Sequence, residues 1–364
     1  MKNIIALLLL GTGLNYQDAH AYPQYVRLGY HSCVGCHYNP SGAGLLTPYG
    51  KGISSTQSLY SSELSYEQEE QLSKEKYHQA FQGRLLDYKT SQKNRFFPMQ
   101  AEYLARLDFD SHWKSNFTLA LAPRAENEIA DETPKTYQRL YARVAEIHYH
   151  QDSNYSYLFG MAPLPLGLGL VDHTHYVRAN NRLQITDIPI SFRTFGIYEN
   201  FTFNYFFYLP HYLEGTANKE HGLGGQYWYL INRNTSLGLQ ALGARSKAIE
   251  RELAGVLFKT GWQEYSYLGE FNYTHRLINQ GQAQFGQWSY YNQFAYHPMD
   301  WLELSYTYQG LKKDRDFKMF ETRQALMIQA KLLRSFTLTL ETRLRNFNSR
   351  NEISHLLQGF IQWW

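Results

Sequence analysis

The sequence predicts an all-β fold: a transmembrane antiparallel β-barrel of about 16 strands that follows a short N-terminal segment. Three observations predict it. Apolar and polar residues alternate from residue 81 onward, and short turns alternate with longer loops. Tyrosine is abundant, at 31 of 364 residues, although the mean hydropathy is −0.51. A wall with lipid on one side and water on the other gives such a composition, because every second side chain faces water.

The first 21 residues predict a secretory signal peptide. Lys2 supplies a positive start, Ile4–Leu10 an apolar core, and Ala19–Ala21 a small-x-small cleavage site. The apolar core is too short to span a bilayer as a helix, which needs about 20 apolar residues. We therefore divide the chain into a signal peptide (1–21), an N-terminal segment (22–80) and a barrel (81–364).

The N-terminal segment is not strand-like. It begins with a stretch rich in glycine and proline and ends with SYEQEEQLSKEKYHQA, residues 65–80. Glutamate, glutamine and lysine favour helices. We expect a short surface or plug helix there.

The barrel strands are predicted from an alternation with period two. In residues 302–308, Leu302, Leu304 and Tyr306 alternate with Glu303 and Ser305, for example. The predicted strands begin near residues 81, 100, 114, 138, 154, 184, 201, 223, 235, 252, 265, 285, 301, 320, 335 and 354.

The connections support a membrane barrel more strongly than the strand count does. The short turns are SHWKS, QDSN, YEN, INRN, QE, HPMD and LLR, and the longer loops include RAENEIADETPKTYQ, PHYLEGTANKEHGLGG, LINQGQAQ, LKKDRDFK and NFNSRNE. Bacterial barrels have short periplasmic turns, long outer loops and an even strand number that leaves both termini in the periplasm. A soluble β-sandwich or propeller explains the strands but not this alternation.

The last residues, GFIQWW, resemble the aromatic C-terminal signature of bacterial outer-membrane proteins. Gln358 and Gln362 fall on the same face of the strand as Trp364, and that signature favours apolar residues on this face. The register of the last strand is therefore left open.

Cys33, Cys36 and His37 form the motif C-x-x-C-H, which attaches c-type haem. Two thiols one turn apart can each form a thioether with a vinyl group of haem, and the adjacent histidine can supply an axial nitrogen to the iron. Three other interpretations remain: a Cys33–Cys36 disulfide, a thioredoxin-like redox pair, and half of a zinc site. A zinc site needs about four ligands, and the chain has only two cysteines.

Residues 29–50, GYHSCVGCHYNPSGAGLLTPYG, resemble the N-terminal segment of bacterial outer-membrane proteins that join a C-x-x-C-H motif to a porin-like barrel. In those proteins C-x-x-C-H-x-x-P-x-G-x-G-L-L-T-x-Y-G precedes the strands. The resemblance implies one periplasm-facing haem on Cys33, Cys36 and His37. Pro40, Gly42 and Gly44 suit either a tight turn against the flat ring or an ordinary surface turn.

The sequence does not fix a second axial ligand. His31 lies beside the motif, and the long segment after the fifth strand, MAPLPLGLGLVDHTHYVRANNR, contains His173 and His175. That segment is expected to be an outer loop, and its apolar start could fold inward and narrow the lumen. The further candidates are His148, His150 and Met161, and a five-coordinate iron open to a small ligand is the remaining possibility.

Several charged residues are expected to face the lumen, where they either tune which solutes pass or pair with one another. They are Arg178, Arg182, Arg193, Arg323, Arg343 and Arg345, with Glu321 and Glu341. Residues 312–316 are predicted to be a solvated outer loop.

The leading functional hypothesis is electron transfer between a periplasmic cytochrome, or another redox protein, and an outer partner. The alternative is a solute-diffusion porin whose haem segment is a plug or gate. A third is an enzyme or gas sensor with an open haem coordination site, although a carrier or channel is favoured over an enzyme. The net charge of +3 gives no indication of nucleic-acid binding, and homo-oligomers are possible.

Overall fold

The computed structural model describes residues 23–30, 33, 35–39, 42, 44–60, 75–92, 94–123, 138–169, 175–179, 181, 183, 188–210, 220–247, 249–278, 283–314, 319–347 and 350–363. These are called the described residues below. None of the helices among them is long and apolar enough to cross a membrane.

Sixteen strands in the described residues form one closed antiparallel barrel. They are β1 (Tyr77–Thr90), β2 (Asn94–Asp108), β3 (Trp113–Pro123), β4 (Gln138–His150), β5 (Tyr155–Met161), β6 (Ile190–Tyr198), β7 (Phe201–Leu209), β8 (His221–Asn232), β9 (Thr235–Arg245), β10 (Ile249–Trp262), β11 (Tyr265–Ile278), β12 (Ala283–Met299), β13 (Leu302–Lys313), β14 (Met319–Leu333), β15 (Phe336–Phe347) and β16 (Arg350–Trp363). Each strand pairs with the next, and β1 pairs with β16, so the ring has no free edge. The predicted barrel is confirmed.

Fourteen of the sixteen strands begin within four residues of their predicted positions. The first begins at Tyr77 and so includes residues 77–80, which the sequence pattern places in the N-terminal segment. The second begins six residues early because its ladder with β1 continues to Asn94. The sixth begins six residues late, at Ile190, because the chain before it folds into the lumen.

The two faces of the wall differ as the period of two requires. Along β9, Ser236, Gln240 and Leu242 are buried on the lumen side, whereas Leu237 and Leu239 are exposed on the outside. Large apolar side chains are exposed in the same way on the outer faces of the other strands. The outer wall is therefore apolar and the inner wall largely polar.

The seven short turns lie at one end of the barrel, named here the short-turn end: residues 109–112, 151–154, 199–200, 233–234, 263–264, 300–301 and 334–335. At the opposite, loop end, three connections are long: 124–137, 162–189 and 210–220. The prediction of longer loops at LINQGQAQ, LKKDRDFK and NFNSRNE is wrong. There the strands continue to pair, which leaves connections of only 279–282, 314–318 and 348–349.

Three short helices accompany the strands in the part of the chain that the structure describes: α1 (Pro23–Val26), α2 (Pro48–Thr56) and α3 (Tyr176–Ala179). The predicted helix at residues 65–80 lies mostly outside the described residues, and its last four residues belong to β1.

The register of the C-terminal strand follows from its partners. Trp363 and Ile361 are exposed on the outer face, and Gln358 and Gln362 lie on the lumen face. Trp364, which ends the predicted aromatic signature, is outside the described residues.

Candidate haem-binding turn and lumen

Cys33 and His37 of the C-x-x-C-H motif are joined across one hydrogen-bonded turn. The backbone N–H of His37 donates a hydrogen bond to the carbonyl oxygen of Cys33 over 2.8 Å. Cys33 is half-buried, Cys36 is buried, and both are free thiols. The two sulfurs and the imidazole therefore come from a single turn, as the spacing predicts.

Thr47, which caps α2, ties this turn to the helix that follows it. Its N–H donates to the carbonyl of Cys36 (2.9 Å), and its hydroxyl donates to the carbonyl of Gly35 (2.6 Å). The same hydroxyl oxygen accepts a hydrogen bond from the N–H of Gly50 (3.0 Å), as an N-cap residue does. His37 also bridges Leu46 in a short antiparallel contact. The threonine and glycine of the L-L-T-x-Y-G stretch thus have a structural role.

Two glycines permit close contacts around the cysteines. A Cβ atom on Gly50 would lie 2.1 Å from the carbonyl oxygen of Cys36. Gly42 has a φ of +78°, and a Cβ there would lie 2.9 Å from the sulfur of Cys33. Only glycine fits both positions without a shift of the backbone or of the sulfur.

The described residues of the N-terminal segment that precede β1 lie in the mouth of the barrel at the short-turn end. Arg27 forms an ion pair with Asp300, in the turn between β12 and β13. Ser54, in α2, accepts a hydrogen bond from the ammonium of Lys331 over 2.6 Å, and the N–H of Leu59 donates to the carbonyl of Lys331 over 2.9 Å. These contacts hold the segment against the wall on both sides of the motif.

A wall histidine that the sequence did not single out contacts this segment. The hydroxyl of Tyr38, the residue after the motif, lies 3.2 and 3.3 Å from the two ring nitrogens of His78 in β1. The guanidinium of Arg106 lies 4.2 Å from the centre of the Tyr38 ring and is held by Asp108. Burial raises the pKa of Tyr38 to about 12, so its phenol keeps its proton. No sequence signal marked His78, because the contact depends on the closed barrel.

Burial also acts on the two thiols. It raises the pKa of Cys33, and the ammonium of Lys259 opposes this effect. Burial, and secondarily Cys33, raise the pKa of Cys36 to about 11, against the effect of Lys331. Without a bound group, both thiols therefore stay protonated at neutral pH and react slowly as nucleophiles.

These residues fit a c-type haem. The donor set consists of two thiols that are not joined to each other and an adjacent imidazole, which are the groups that c-type haem requires. Gly42 leaves the space beside the Cys33 sulfur without a side chain. Among the described residues, no group of three or more metal-binding side chains forms an alternative metal site.

Of the proposed second axial ligands, His31 and His173 lie outside the described residues. His175 is buried in the lumen, where its Nδ1 atom lies 2.7 Å from Nε2 of Gln309 and its ring centre lies 4.6 Å from that of Tyr291. Met161 lies on the same face of β5 as Phe159, which is the outer face, so its side chain points away from the lumen.

His148 and His150 are in the lumen, on β4. His148 is fully buried between Glu146 (2.8 Å) and Asn116 (3.1 Å), and Nδ1 of His150 contacts the hydroxyl of Ser156 over 2.8 Å. These contacts fix both rings on the wall.

The described residues that follow β5 fold into the lumen, as their apolar sequence suggests. Asn181 holds them there, since its Nδ2 atom donates to Ser289 over 2.9 Å and its Oδ1 atom accepts from Thr274 (2.8 Å) and Gln287 (2.9 Å). Farther along the lumen, the N–H of Gly167 donates to Gln240 over 2.6 Å. We name residues 162–169, 175–179, 181 and 183 the inward segment.

The inward segment meets the N-terminal segment in one apolar cluster. Val26 of α1 and Val177 of α3 are both fully buried, and they pack with Leu268 and Tyr291 of the wall. The two segments therefore form one packed unit inside the barrel.

The lumen charges mostly pair with one another. Arg193 contacts Glu146, Arg343 contacts Glu341 over 2.6 and 2.8 Å, and Arg345 contacts Glu321. Arg323 lies over the ring of Tyr176. The side chain of Arg178 and all of Arg182 lie outside the described residues. Of the predicted outer loop, Lys312 and Lys313 belong to β13, and residues 315–316 are outside the described residues.

No protein-family model matches the chain, and no curated protein sequence matches it. Solved structures do share its fold. A loop L8 deletion mutant of OmpT, an outer membrane protein of Vibrio cholerae, has a TM-score of 0.63 at 9% identity and covers 79% of this chain and 99% of its own. In-vitro folded OmpT in its trimer form has a TM-score of 0.61 at 9% identity over 79% and 99% of the two chains. The anion-selective porin from Comamonas acidovorans has a TM-score of 0.59 at 9% identity over 79% and 100%. The chain therefore has the porin-like fold of outer-membrane β-barrels.

Proposed function

We propose that this chain is a bacterial outer-membrane barrel that carries one covalent c-type haem on Cys33 and Cys36, with His37 as an axial ligand, and passes electrons between a periplasmic redox protein and an outer partner. The observation that carries the proposal is the C-x-x-C-H turn packed into the mouth of a closed barrel, with both thiols free and the imidazole on the same turn.

The membrane location is supported by the outer surface of the wall. Its exposed side chains include Phe192, Leu239, Phe271, Leu326 and Trp363. A soluble protein seldom exposes so large a continuous apolar surface, whereas a lipid-facing barrel requires one. The porin-like fold of its structural neighbours agrees with this location. Because bacterial barrels turn their short connections to the periplasm, the haem-binding turn belongs on the periplasmic side.

The residues around the turn would hold and shield the cofactor. Cys33 and Cys36 supply the thioether sulfurs, and His37 supplies a nitrogen to the iron. Thr47 fixes the peptide of Cys36 by a hydrogen bond, and α2 covers that side of the turn. When bound, the haem supplies one-electron redox chemistry, and the protein tunes it through the axial ligand, burial and hydrogen bonds.

The thickness of the membrane means that the proposed electron path needs partner redox proteins. The hydrocarbon core of a bilayer is about 30 Å thick, much wider than one macrocycle. A single haem at the short-turn end therefore needs one redox protein that docks there and a second carrier that approaches from the loop end.

The test begins with the covalent haem. Protein purified in detergent from the outer membrane is expected to keep a haem stain on a denaturing gel and to have an intact mass that includes one porphyrin. The C33A/C36A variant should lose both signals while its barrel still shows heat-dependent gel migration. A purified wild-type chain that dissolves without detergent, or whose mass lacks the porphyrin, contradicts the proposal.

A redox measurement separates electron transfer from the rival functions. A reduced soluble c-type cytochrome should be reoxidised by the wild-type protein and not by a His37→Ala variant. If solute flux is the main task, His37→Ala should instead preserve or increase flux, with the segment acting as a plug. Binding of carbon monoxide to the reduced protein would favour an open-site enzyme or sensor. The OmpT trimer form among the neighbours supports a measurement of oligomeric state in the same preparations.

A further inference from the structure

Two lysines of the barrel wall lie beside the two thiols of the haem-binding turn. The charge of Lys259, on β10, acts on Cys33, and the charge of Lys331, on β14, acts on Cys36. Each lysine lies near the short-turn end of its strand. Two cationic groups on separate parts of the ring therefore flank the sulfurs, and we name them the two wall lysines.

Packing of the N-terminal segment places it directly on the wall around Lys259. Leu268 faces Lys259 across the ladder between β10 and β11, and Leu268 packs against the fully buried Val26. Farther along β10, a Cβ atom on Gly261 would lie 2.4 Å from the α-carbon of Arg27. The chain that leads into the motif is thus in close contact with the strand that carries Lys259.

Lys259 is a buried cation without an ion pair among the described residues. It is 6% exposed, and its Nζ atom lies 4.2 Å from the centre of the Trp228 ring. An aromatic face attracts a cation but does not neutralise its charge. Glu270 acts on this charge from a distance, because its carboxylate is held by Nδ2 of Asn272 (2.7 Å) and the backbone N–H of Leu168 (3.0 Å).

Lys331 is also fixed without a carboxylate partner in the part of the chain that the structure describes. Its ammonium donates to the neutral hydroxyl of Ser54 over 2.6 Å, and its backbone carbonyl accepts from the N–H of Leu59 over 2.9 Å. Its side chain is only half-buried. Because water screens a partly exposed charge, its field at the motif is weaker than that of Lys259.

We propose that the two wall lysines raise the reduction potential of the haem carried by Cys33 and Cys36, with the larger effect from Lys259. Reduction adds one electron to the haem, and a fixed positive charge nearby stabilises the reduced form by Coulomb attraction. This attraction is strong where the charge is buried and no anion compensates it. The inference rests on the proposed function, since it needs the haem, and it assigns the wall residues that set the potential.

The test is a potentiometric titration of the full haem-loaded protein in detergent, followed by the haem absorption band. Lys259→Met should lower the equilibrium constant for reduction roughly tenfold, or about 59 mV for a one-electron couple. Lys259→Arg keeps the charge and should stay close to the wild-type potential. Lys331→Met should cause a smaller decrease. Lys247→Met is the matched control, because Lys247 is exposed at the loop end and its loss should leave the potential unchanged.

Absorption spectra of the same samples separate a charge effect from ligation. The spin state of the haem is expected to be the same in the wild-type protein, Lys259→Met and Lys259→Arg. A change of spin state in both variants would make Lys259 an axial ligand and would overturn the proposal, as would a potential that Lys259→Met leaves unchanged. Lys259→Gln, which also removes the charge, repeats the measurement if the methionine variant does not fold.

Heat-dependent gel migration and a haem stain confirm that each variant is folded and loaded. A wild-type protein without covalent haem contradicts the proposed function, and this inference with it. A loaded wild-type protein whose potential matches that of both charge-removing variants at residue 259 contradicts this inference alone. The two failures are therefore distinguishable.

Discussion

At the scale of single residues, the motif is built by contacts that reach beyond its five letters. Gly50 is 13 positions after His37, yet its α-carbon packs on the carbonyl of Cys36. The sequence identified the cysteines and His37 because their spacing carries the chemistry. It could not assign a role to Gly50, because a glycine serves equally in a turn, a cap or a close approach, and only the packed segment distinguishes these roles.

Gly50→Ala should destabilise the haem-binding turn. The new methyl group would overlap the carbonyl of Cys36, and overpacking of this kind costs about 1–3 kcal/mol. We expect the thermal transition of the haem absorption band to move to lower temperature, while the barrel unfolds on gels at an unchanged temperature. Gly243→Ala is the control, because a Cβ there meets no atom within 4 Å. Equal transitions in the two variants would contradict this account of Gly50.

The raised pKa of Cys36 predicts slow alkylation in protein made without haem. A thiol with a pKa of about 11 in place of 9.0 contains about 100-fold less thiolate at pH 8. Iodoacetamide should therefore label folded protein far more slowly than protein unfolded in urea at the same pH, and the difference should shrink as the pH rises toward 11. Labelling rates are measured by mass spectrometry. Equal rates at pH 8 would show that burial does not act on this thiol.

At the scale of elements, the strands were predictable and the connections only in part. The period of two located most strands within a few residues, since alternation along one strand is local information. Which connections pass into the lumen is not local. The polar groups that bind the inward segment come from three strands, namely Gln240 on β9, Thr274 on β11, and Gln287 and Ser289 on β12. The sequence indicated the apolar start of the segment but none of these partners.

Asn181→Leu should release the inward segment. The substitution removes the side-chain amide and leaves the groups of Ser289, Thr274 and Gln287 without it in a buried site, and each unmade hydrogen bond costs about 1–3 kcal/mol. We expect a larger and noisier single-channel conductance in bilayers, with unchanged heat-dependent migration of the barrel. Asn346→Leu, at an exposed position near the loop end of β15, is the control. A conductance equal to that of the wild-type protein would mean that other contacts are sufficient to hold the segment.

At the scale of the whole molecule, closure of the barrel determines which residues meet. His78 lies in β1, 40 positions after Tyr38, whereas Arg106 and Lys331 lie on more distant strands, and all three contact the residues around the motif or α2 inside one ring. Alternation predicts that such residues face the lumen, but their height and neighbours depend on the register of all sixteen strands. For the same reason, the ion pairs Arg193–Glu146 and Arg345–Glu321 could not be predicted from the sequence.

This arrangement makes the two ends of the molecule unequal. The N-terminal segment that carries the C-x-x-C-H turn is held at the short-turn end by contacts of Ser54 with Lys331 and of Arg27 with Asp300, and the inward segment packs against it inside the lumen. A reduced soluble cytochrome, which is too large for the lumen, should therefore reduce the haem in open outer-membrane fragments but not in intact cells. The haem absorption band reports the rate, and a small reductant such as dithionite, which should act on both preparations, is the control. Equal rates with the cytochrome in cells and fragments would mean that the turn faces outward, and the periplasmic side of the proposed electron path would have to be reversed.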